Sequence, residues 1–251
     1  MTEQRWQADT YQKHAGFVPV LGAPILALLD PQPSERILDL GCGDGVLTSK
    51  LVEAGASVMG IDSSESMINA AKERGLDAHV MDGTSFVLNE QFDAVFTNAA
   101  LHWMKKDPDA VASNVFTTLK PGGRFVGEFG GHGNVAAITV AVLAVLRQRG
   151  VDGSKLVPWY FPTPEEYTQL LERAGFEVQS IGLIPRPTPL PTDMTGWLQT
   201  MAQTMFNAIE ESDRDAALQE AVELLKPCLQ DTQGHWTADY VRLRFAAVKP
   251  K

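Results

Sequence analysis

The stretch Leu38-Asp39-Leu40-Gly41-Cys42-Gly43-Asp44-Gly45 decides how the rest of the chain is read. It ends an apolar run that starts at Arg36, and a helical pattern from Leu47 to Ala54 follows it. Glycines at 41, 43 and 45 let the backbone turn sharply and approach a ligand with no Cβ in the way. The next helix points its free N–H groups at whatever lies over the loop. Twenty-one residues after Gly41, a second apolar run ends in Ile61-Asp62. A carboxylate there can accept two hydrogen bonds from a ribose diol.

Further apolar runs follow at Ala78 to Met81, Phe92 to Thr97 and Arg124 to Phe129. Helical patterns lie between the runs, at Ser66 to Arg74 and Pro108 to Leu119. Strand and helix in alternation mean parallel strands joined by crossovers, and the hand of those crossovers gives a doubly wound α/β sheet. After Phe129 the pattern changes. A glycine turn, Gly130 to Gly133, leads into an apolar helix from Val135 to about Gln148. Thr163-Pro164-Glu165-Glu166 is a helix start, and that helix should stop at Gly175 before a strand near 176–184. Pro185 to Pro191 can be neither helix nor central strand. Helices are expected over Met194 to Ile209 and Asp213 to Leu225, and a last strand over Ala238 to Val248. With no repeat or flexible linker, residues 1–251 read as one domain. Its core is about 30–130 plus the two late strands, with a helical segment at 1–30 and an inserted helical cap at about 186–230.

Composition narrows the function classes. The 251 residues carry 21 Lys+Arg against 31 Asp+Glu, a net charge of −10, which argues against sequence-independent phosphate binding and hence against a nucleic-acid partner. The 44% hydrophobic content is that of a globular protein. Cys42 and Cys228 cannot form a disulfide framework or a four-thiolate zinc site, so a cytoplasmic location is the default. The opening residues lack the apolar core of a signal peptide, and the longest apolar run, Val135 to Leu146, is too short to span a bilayer. No membrane partner is expected. No His/Cys/Asp set has metal-ligand spacing, so no metal is expected either.

Two cofactor classes use a strand, a glycine loop and a helix. A dinucleotide fingerprint needs G-x-G-x-x-G/A, and its last position counted from Gly41 is Val46. The pattern here, D-x-G-x-G-x-G, resembles motif I of the class I S-adenosylmethionine-dependent methyltransferases. Asp62, Ser63 and Met67 match the acidic ribose position and the loop after it, and Met81-Asp82-Gly83 matches the acidic adenine site. Phe92-Asp93-Ala94-Val95 with Asn98 to Trp103 matches the fourth strand and the segment beyond it. Leu119-Lys120-Pro121-Gly122-Gly123-Arg124-Phe125 matches the turn before the fifth. The matches run in order over roughly 35 to 130. They imply a mostly parallel, seven-stranded Rossmann-like sheet with helices on both faces. They also imply S-adenosylmethionine as methyl donor, S-adenosylhomocysteine as product, and cofactor contacts from Gly41, Cys42, Gly43, Asp62, Ser63, Met67, Asp82, Gly83, Asn98 and Ala99. The chain is most similar to the small-molecule branch that includes trans-aconitate methyltransferase, through Asn98 to Trp103, Pro158 to Phe161, Asp239 to Arg244, and Trp6 with Tyr11 to Val18. In that branch the N-terminal segment folds over the cofactor, which implies a contact from Tyr11.

Methyl transfer is an in-line displacement, and the protein's main task is to align nucleophile and methyl carbon with water excluded. An ionised carboxylate needs no general base, whereas a phenol or amine gains from one. His102, just past the fourth strand, is the candidate base; its other reading is a residue that orients the acceptor. Candidate acceptor contacts are His14, Trp103, His132, Trp159, Tyr160 and Arg186, the last able to grip a carboxylate through two nitrogens. Each also has a plain reading: core packing for the aromatics, a solvated loop for His132, a surface cation for Arg186. The expected partner is a small-molecule acceptor, and the protein a monomer or homodimer. Two other functions share this fold: a binding protein without turnover, and a nicotinamide-dependent oxidoreductase, which Val46 disfavours. A nucleic-acid methyltransferase is disfavoured by the charge and by Asn98-Ala99-Ala100-Leu101 where a base-flipping segment would stand.

Overall fold

The computed structural model describes residues 22–251. In chain order the elements are α1 (Ala23–Leu29), β1 (Arg36–Leu40), α2 (Val46–Glu53), β2 (Ser57–Asp62), α3 (Glu65–Glu73), β3 (Ala78–Val80), β4 (Phe92–Asn98), α4 (Pro108–Thr118) and β5 (Leu119–Gly130). Then come α5 (Ala136–Gln148), α6 (Pro164–Arg173), β6 (Glu177–Pro185), β7 (Thr188–Pro189), α7 (Met194–Met201), α8 (Gln203–Phe206), α9 (Arg214–Leu229), β8 (Thr237–Ala238) and β9 (Val241–Val248). They form two compact units. The larger holds residues 22–132 of the described chain with Tyr160–Ile184 and Arg242–Lys251, and the smaller holds Gly133–Trp159 and Pro185–Val241.

The larger unit is a seven-stranded sheet in the order β3-β2-β1-β4-β5-β9-β6. The first five strands in that order pair in parallel, and β9 runs antiparallel to β5, with Arg124 opposite Val248 and Gly130 opposite Arg242. Strand alternation sorts side chains onto two covered faces. Ile37, Ala94, Phe96 and Val126 meet α1 and α2 through Ile25, Leu29, Leu47 and Leu51. On the other face Leu38, Leu40, Phe125, Phe129 and Phe245 meet α4 and α6 through Val111, Val115, Tyr167 and Leu170. This is the doubly wound, mostly parallel sheet expected from the sequence. It places the carboxyl ends of β1, β2, β3 and β4, with the loops that follow them, along one edge, where open α/β sheets take their ligands.

Three expectations need correction. The helix expected over Met194 to Ile209 breaks at Ala202, which leaves the helical region at φ −104°, ψ 18°, so α7 and α8 are separate. The helix expected to stop at Leu225 continues to Leu229 with Pro227 inside its last turn. The strand expected over Ala238 to Val248 divides: Thr237–Ala238 pairs with Thr188–Pro189 in a two-stranded ribbon, and β9 starts at Val241. That ribbon uses Pro189 on a strand with one partner, where a missing N–H costs nothing.

The smaller unit packs α5 with α9 and α9 with α7. Trp197 anchors it, donating from Nε1 to the Tyr240 hydroxyl at 2.7 Å while Trp159 packs 6.2 Å away, centroid to centroid. Arg149 ties Asp213 and Glu220 at 2.6 and 2.7 Å. Asp239 accepts from the Ala137 N–H at 2.8 Å and so satisfies one of the free donors that open α5.

Candidate functional site

The glycine loop is held shut by backbone and left open at one point. The N–H groups of Gly41 and Cys42 both donate to the Ile61 carbonyl, at 2.8 and 3.0 Å. Gly41 has φ +75°, and a Cβ on it would overlap the Cβ of Ala100. Gly43 has φ +56°, and a Cβ there would meet no described atom within 4 Å. Gly41 is thus required by packing, and Gly43 exposes backbone to open space. Cys42 differs from its neighbours. Its side chain fills the gap left by Gly60, where a Cβ would come within 2.8 Å of the Cys42 sulfur, and burial pushes the thiol far up. Such a thiol is a packing group and no nucleophile.

Asp62 sits against this loop. One carboxylate oxygen accepts from the Gly43 N–H at 3.1 Å and the other from the Ser64 N–H at 2.9 Å. Burial raises its pKa, and the two backbone donors work against that rise. Ser63 beside it is exposed, and Met67 is buried in the first turn of α3, where its N–H donates to the Ser64 hydroxyl. Beneath the loop Asp39, 2% exposed, accepts from the Thr48 hydroxyl at 2.7 Å and is pushed up to about 7 by burial. At the end of β3, Asp82 is exposed, and one of its oxygens accepts from both the N–H and the hydroxyl of Thr84 at 2.8 Å. Gly83 is buried because Met104 lies over it; a Cβ there would be 2.7 Å from the Met104 sulfur. Beyond β4, Ala99 takes a left-handed φ of +58°, fixed by its N–H to the Glu128 carbonyl at 2.7 Å. Asn98, half-buried, precedes it. The strand ends therefore carry a glycine cradle with open space at Gly43 and two carboxylates in sequence, a set that fits an adenosine-bearing ligand.

His102 does not fit the role of base. It is buried in the short helical turn Leu101–Trp103, and its Nδ1 accepts from the Gly130 N–H at 3.2 Å. Burial, with the Arg242 charge nearby, holds its pKa well below the ordinary 6.5. A neutral imidazole that accepts at Nδ1 carries its hydrogen on Nε2, so it offers a donor and no free lone pair. Trp103 and Phe161 flank the ring at 5.2 and 5.9 Å, and the Tyr160 N–H donates to the His102 carbonyl at 2.9 Å. Burial pushes the Tyr160 phenol up to about 12.

The structure thus brings His102, Trp103 and Tyr160 together in the larger unit. His132 belongs to that unit too, but it is an exposed residue held through its backbone N–H to the Pro162 carbonyl, as its solvated-loop reading has it. Trp159 and Arg186 belong to the smaller unit, Trp159 against Trp197 and Arg186 with its N–H on the Tyr240 carbonyl. Tyr11 and His14 lie outside the described residues. Two buried charged residues escaped the sequence reading: Glu128, 1% exposed and bound by Nε and Nη2 of Arg244 at 2.7 and 2.6 Å, and Arg242, 3% exposed. The signal for Arg242 was the charge alternation of Arg242-Leu243-Arg244-Phe245 inside an apolar strand, and for Glu128 a single carboxylate in the apolar run Phe125 to Phe129. Among the described residues no three His, Cys, Asp or Glu side chains cluster to hold a metal, and no helix is long and apolar enough to cross a membrane.

Comparison with known proteins accords with this geometry. The family profile described as a methyltransferase domain matches residues 38–127. An uncharacterized methyltransferase of Schizosaccharomyces pombe is 40% identical over 99% of this chain and 100% of its own length. A trans-aconitate 2-methyltransferase of Rhodococcus jostii is 32% identical over 67% of this chain and 69% of its own. Among solved structures, phosphoethanolamine N-methyltransferase 2 of Haemonchus contortus, in complex with phosphomonomethylethanolamine and S-adenosylhomocysteine, shares the fold with a TM-score of 0.61 at 23% identity; the match covers 97% of this chain and 57% of that one.

Proposed function

The chain belongs to the class I S-adenosylmethionine-dependent methyltransferases, and on that premise we propose that its acceptor is a small carboxylic acid methylated on oxygen. The observation that carries this reading is the state of His102. A neutral ring with Nδ1 engaged by Gly130 takes no proton from an acceptor. A nucleophile at this site must then arrive already deprotonated, as a carboxylate does at neutral pH and a phenol or an aliphatic amine does not. The trans-aconitate 2-methyltransferase similar to this chain is named for such an acid.

In this reading Gly41 and Gly43 let the loop backbone approach the cofactor, Asp62 takes the ribose diol and Asp82 the adenine amino group. Ser63, Met67, Gly83, Asn98 and Ala99 complete the surround, with Cys42 contributing main chain only. S-adenosylmethionine held by these residues would supply a sulfonium methyl for in-line transfer to a nucleophilic oxygen, the S–C bond breaking as the O–C bond forms, with its electron pair left on sulfur. With a carboxylate acceptor no proton leaves, so the balance needs no base. Trp103, Tyr160 and Phe161 exclude water around His102, which lowers the local dielectric and favours an aligned, desolvated nucleophile.

The test is S-adenosylhomocysteine release with trans-aconitate, succinate, citrate and benzoate, set against phenols and amines. Mass spectrometry should find methyl esters. Turnover of phenols or amines with none of the acids defeats the proposal.

A further inference from the structure

One short segment of the chain grips the glycine loop at both of its own ends. At its start Asp62 accepts from the Gly43 N–H at 3.1 Å, two residues before Ser64 caps α3. At its end Arg74, the residue that closes α3, turns its side chain back to the loop thirty positions earlier. The Arg74 Nε donates to the Asp44 carbonyl at 2.8 Å, and its Nη2 lies 3.4 Å from one oxygen of the Asp44 carboxylate. The other carboxylate oxygen accepts, also at 3.4 Å, from the N–H of Val46, the first residue of α2. A Cβ on Gly45 would come within 2.3 Å of Leu76 Cδ1 and 3.1 Å of Ala71 Cβ, so the loop has no slack on the α3 side.

The Arg74 side chain is 41% exposed and that of Asp44 15%. An ion pair so open to water adds little to global stability, so its effect is local. Gly41, Gly43 and Gly45 all take a left-handed φ, and glycine gives a loop more backbone freedom than any other residue. The form of this loop is therefore set by bonds to its peptide groups. Asp62 holds the N–H of residue 43 and Arg74 the carbonyl of residue 44, on either side of the stretch that meets open space at Gly43. The guanidinium also balances the one carboxylate that stands inside the loop.

We propose that Arg74 is a positioning residue for the cofactor, presetting the Gly43–Gly45 backbone in the form that binds. It acts through Asp44 and takes no part in the transfer itself. The inference rests on the cofactor placement proposed above. A loop that is ordered only part of the time lowers affinity by that fraction, so the loss of Arg74 should be read in binding.

The experiment titrates S-adenosylhomocysteine by calorimetry into the wild type, Arg74→Gln and Arg74→Lys, with urea midpoints and hydrogen exchange of the loop measured in parallel. We expect Arg74→Gln to bind about fivefold more weakly, the scale of a charge-assisted bond partly open to water, with a midpoint close to that of the wild type. Exchange of the amides of residues 43–46 should be about fivefold faster in the free variant, and bound S-adenosylhomocysteine should restore most of the protection. Arg74→Lys keeps the charge and a donor, so it should recover at least half of the lost affinity. Wild-type affinity in Arg74→Gln overturns the proposal and leaves the cofactor placement standing. No binding by the wild type overturns the placement and the proposal together. Weaker binding with unchanged loop exchange overturns the proposal as well, because the loop was then not what Arg74 set. So does a lysine variant no better than glutamine, or an Arg74→Gln chain that fails to fold, since each reports a plain packing role.

Discussion

Replacing Gly41 and Gly43 separately by alanine should divide stability from binding. Both glycines have positive φ, +75° and +56°, which costs an alanine about 1–2 kcal/mol. For Gly41 the added methyl also overlaps the Ala100 Cβ. Ala100 cannot retreat easily, because Ala99 before it is pinned by its 2.7 Å bond to the Glu128 carbonyl. Overpacking of that kind adds about 1–3 kcal/mol, so Gly41→Ala should lose about 2–5 kcal/mol in all. The alanine at 43 meets no described atom within 4 Å, so Gly43→Ala should lose only the backbone share. If the cofactor lies over this residue as proposed, the methyl would stand in its way, and S-adenosylhomocysteine should bind at least about tenfold more weakly, or about 1.4 kcal/mol. Urea unfolding at constant m gives the first quantity and titration calorimetry the second. Equal stability losses for the two variants would refute the packing argument. An unchanged affinity in Gly43→Ala would refute the claim that open space over that residue is where the cofactor lies.

Other outcomes follow from the charged groups. Asp39 titrates near 7 in the fold against 3.8 unfolded, so the folded chain holds the proton longer and stability should fall by a few kcal/mol as pH rises from about 4 to about 7, then level off. Asp39→Asn should flatten that slope in urea titrations at pH 5 and 7.5, and an identical slope in the variant would exclude this residue as its source. Asp62→Ala should weaken S-adenosylhomocysteine binding by about 1.5–3 kcal/mol, since it removes a charged acceptor, and calorimetry showing wild-type affinity would displace the ribose from this site. With His102 held neutral, kcat should show no ionisation near 6.5, and His102→Gln, which keeps an N–H donor, should retain far more activity than His102→Ala. A pH limb near 6.5 that vanishes in His102→Gln would restore the base.

What the sequence disclosed is what local chemistry encodes. Gly41, Gly43 and Gly45 needed left-handed backbone, and the apolar runs at Ile37 to Leu40 and Phe92 to Thr97 could only be strands buried on both faces; each signal is complete within a few residues. His102 was visible as a candidate, but its role depends on the Gly130 N–H, 28 residues further on, and no spacing rule reports that contact. Glu128 and Arg242 were hidden for a related reason. A charge in a strand reads as solvent-facing, whereas these two are buried by tertiary packing. The break at Ala202 has no glycine or proline to mark it, so a continuous helix was the natural reading.

The sheet order carries a consequence for biosynthesis. β9, the latest of its strands to be made, sits between β5 and β6. Sixty-three residues separate the end of β6 at Pro185 from the end of β9 at Val248, about 3–13 s of translation at about 5–20 residues per second. Through that interval β5 and β6 each present a strand edge with no neighbour, the surface on which nascent chains pair wrongly with one another. The ribosome thus delivers a sheet divided in two, and the strand that joins the parts also brings Arg242 and Arg244. A chain stalled before Val241 would lack the strand that joins β5 to β6.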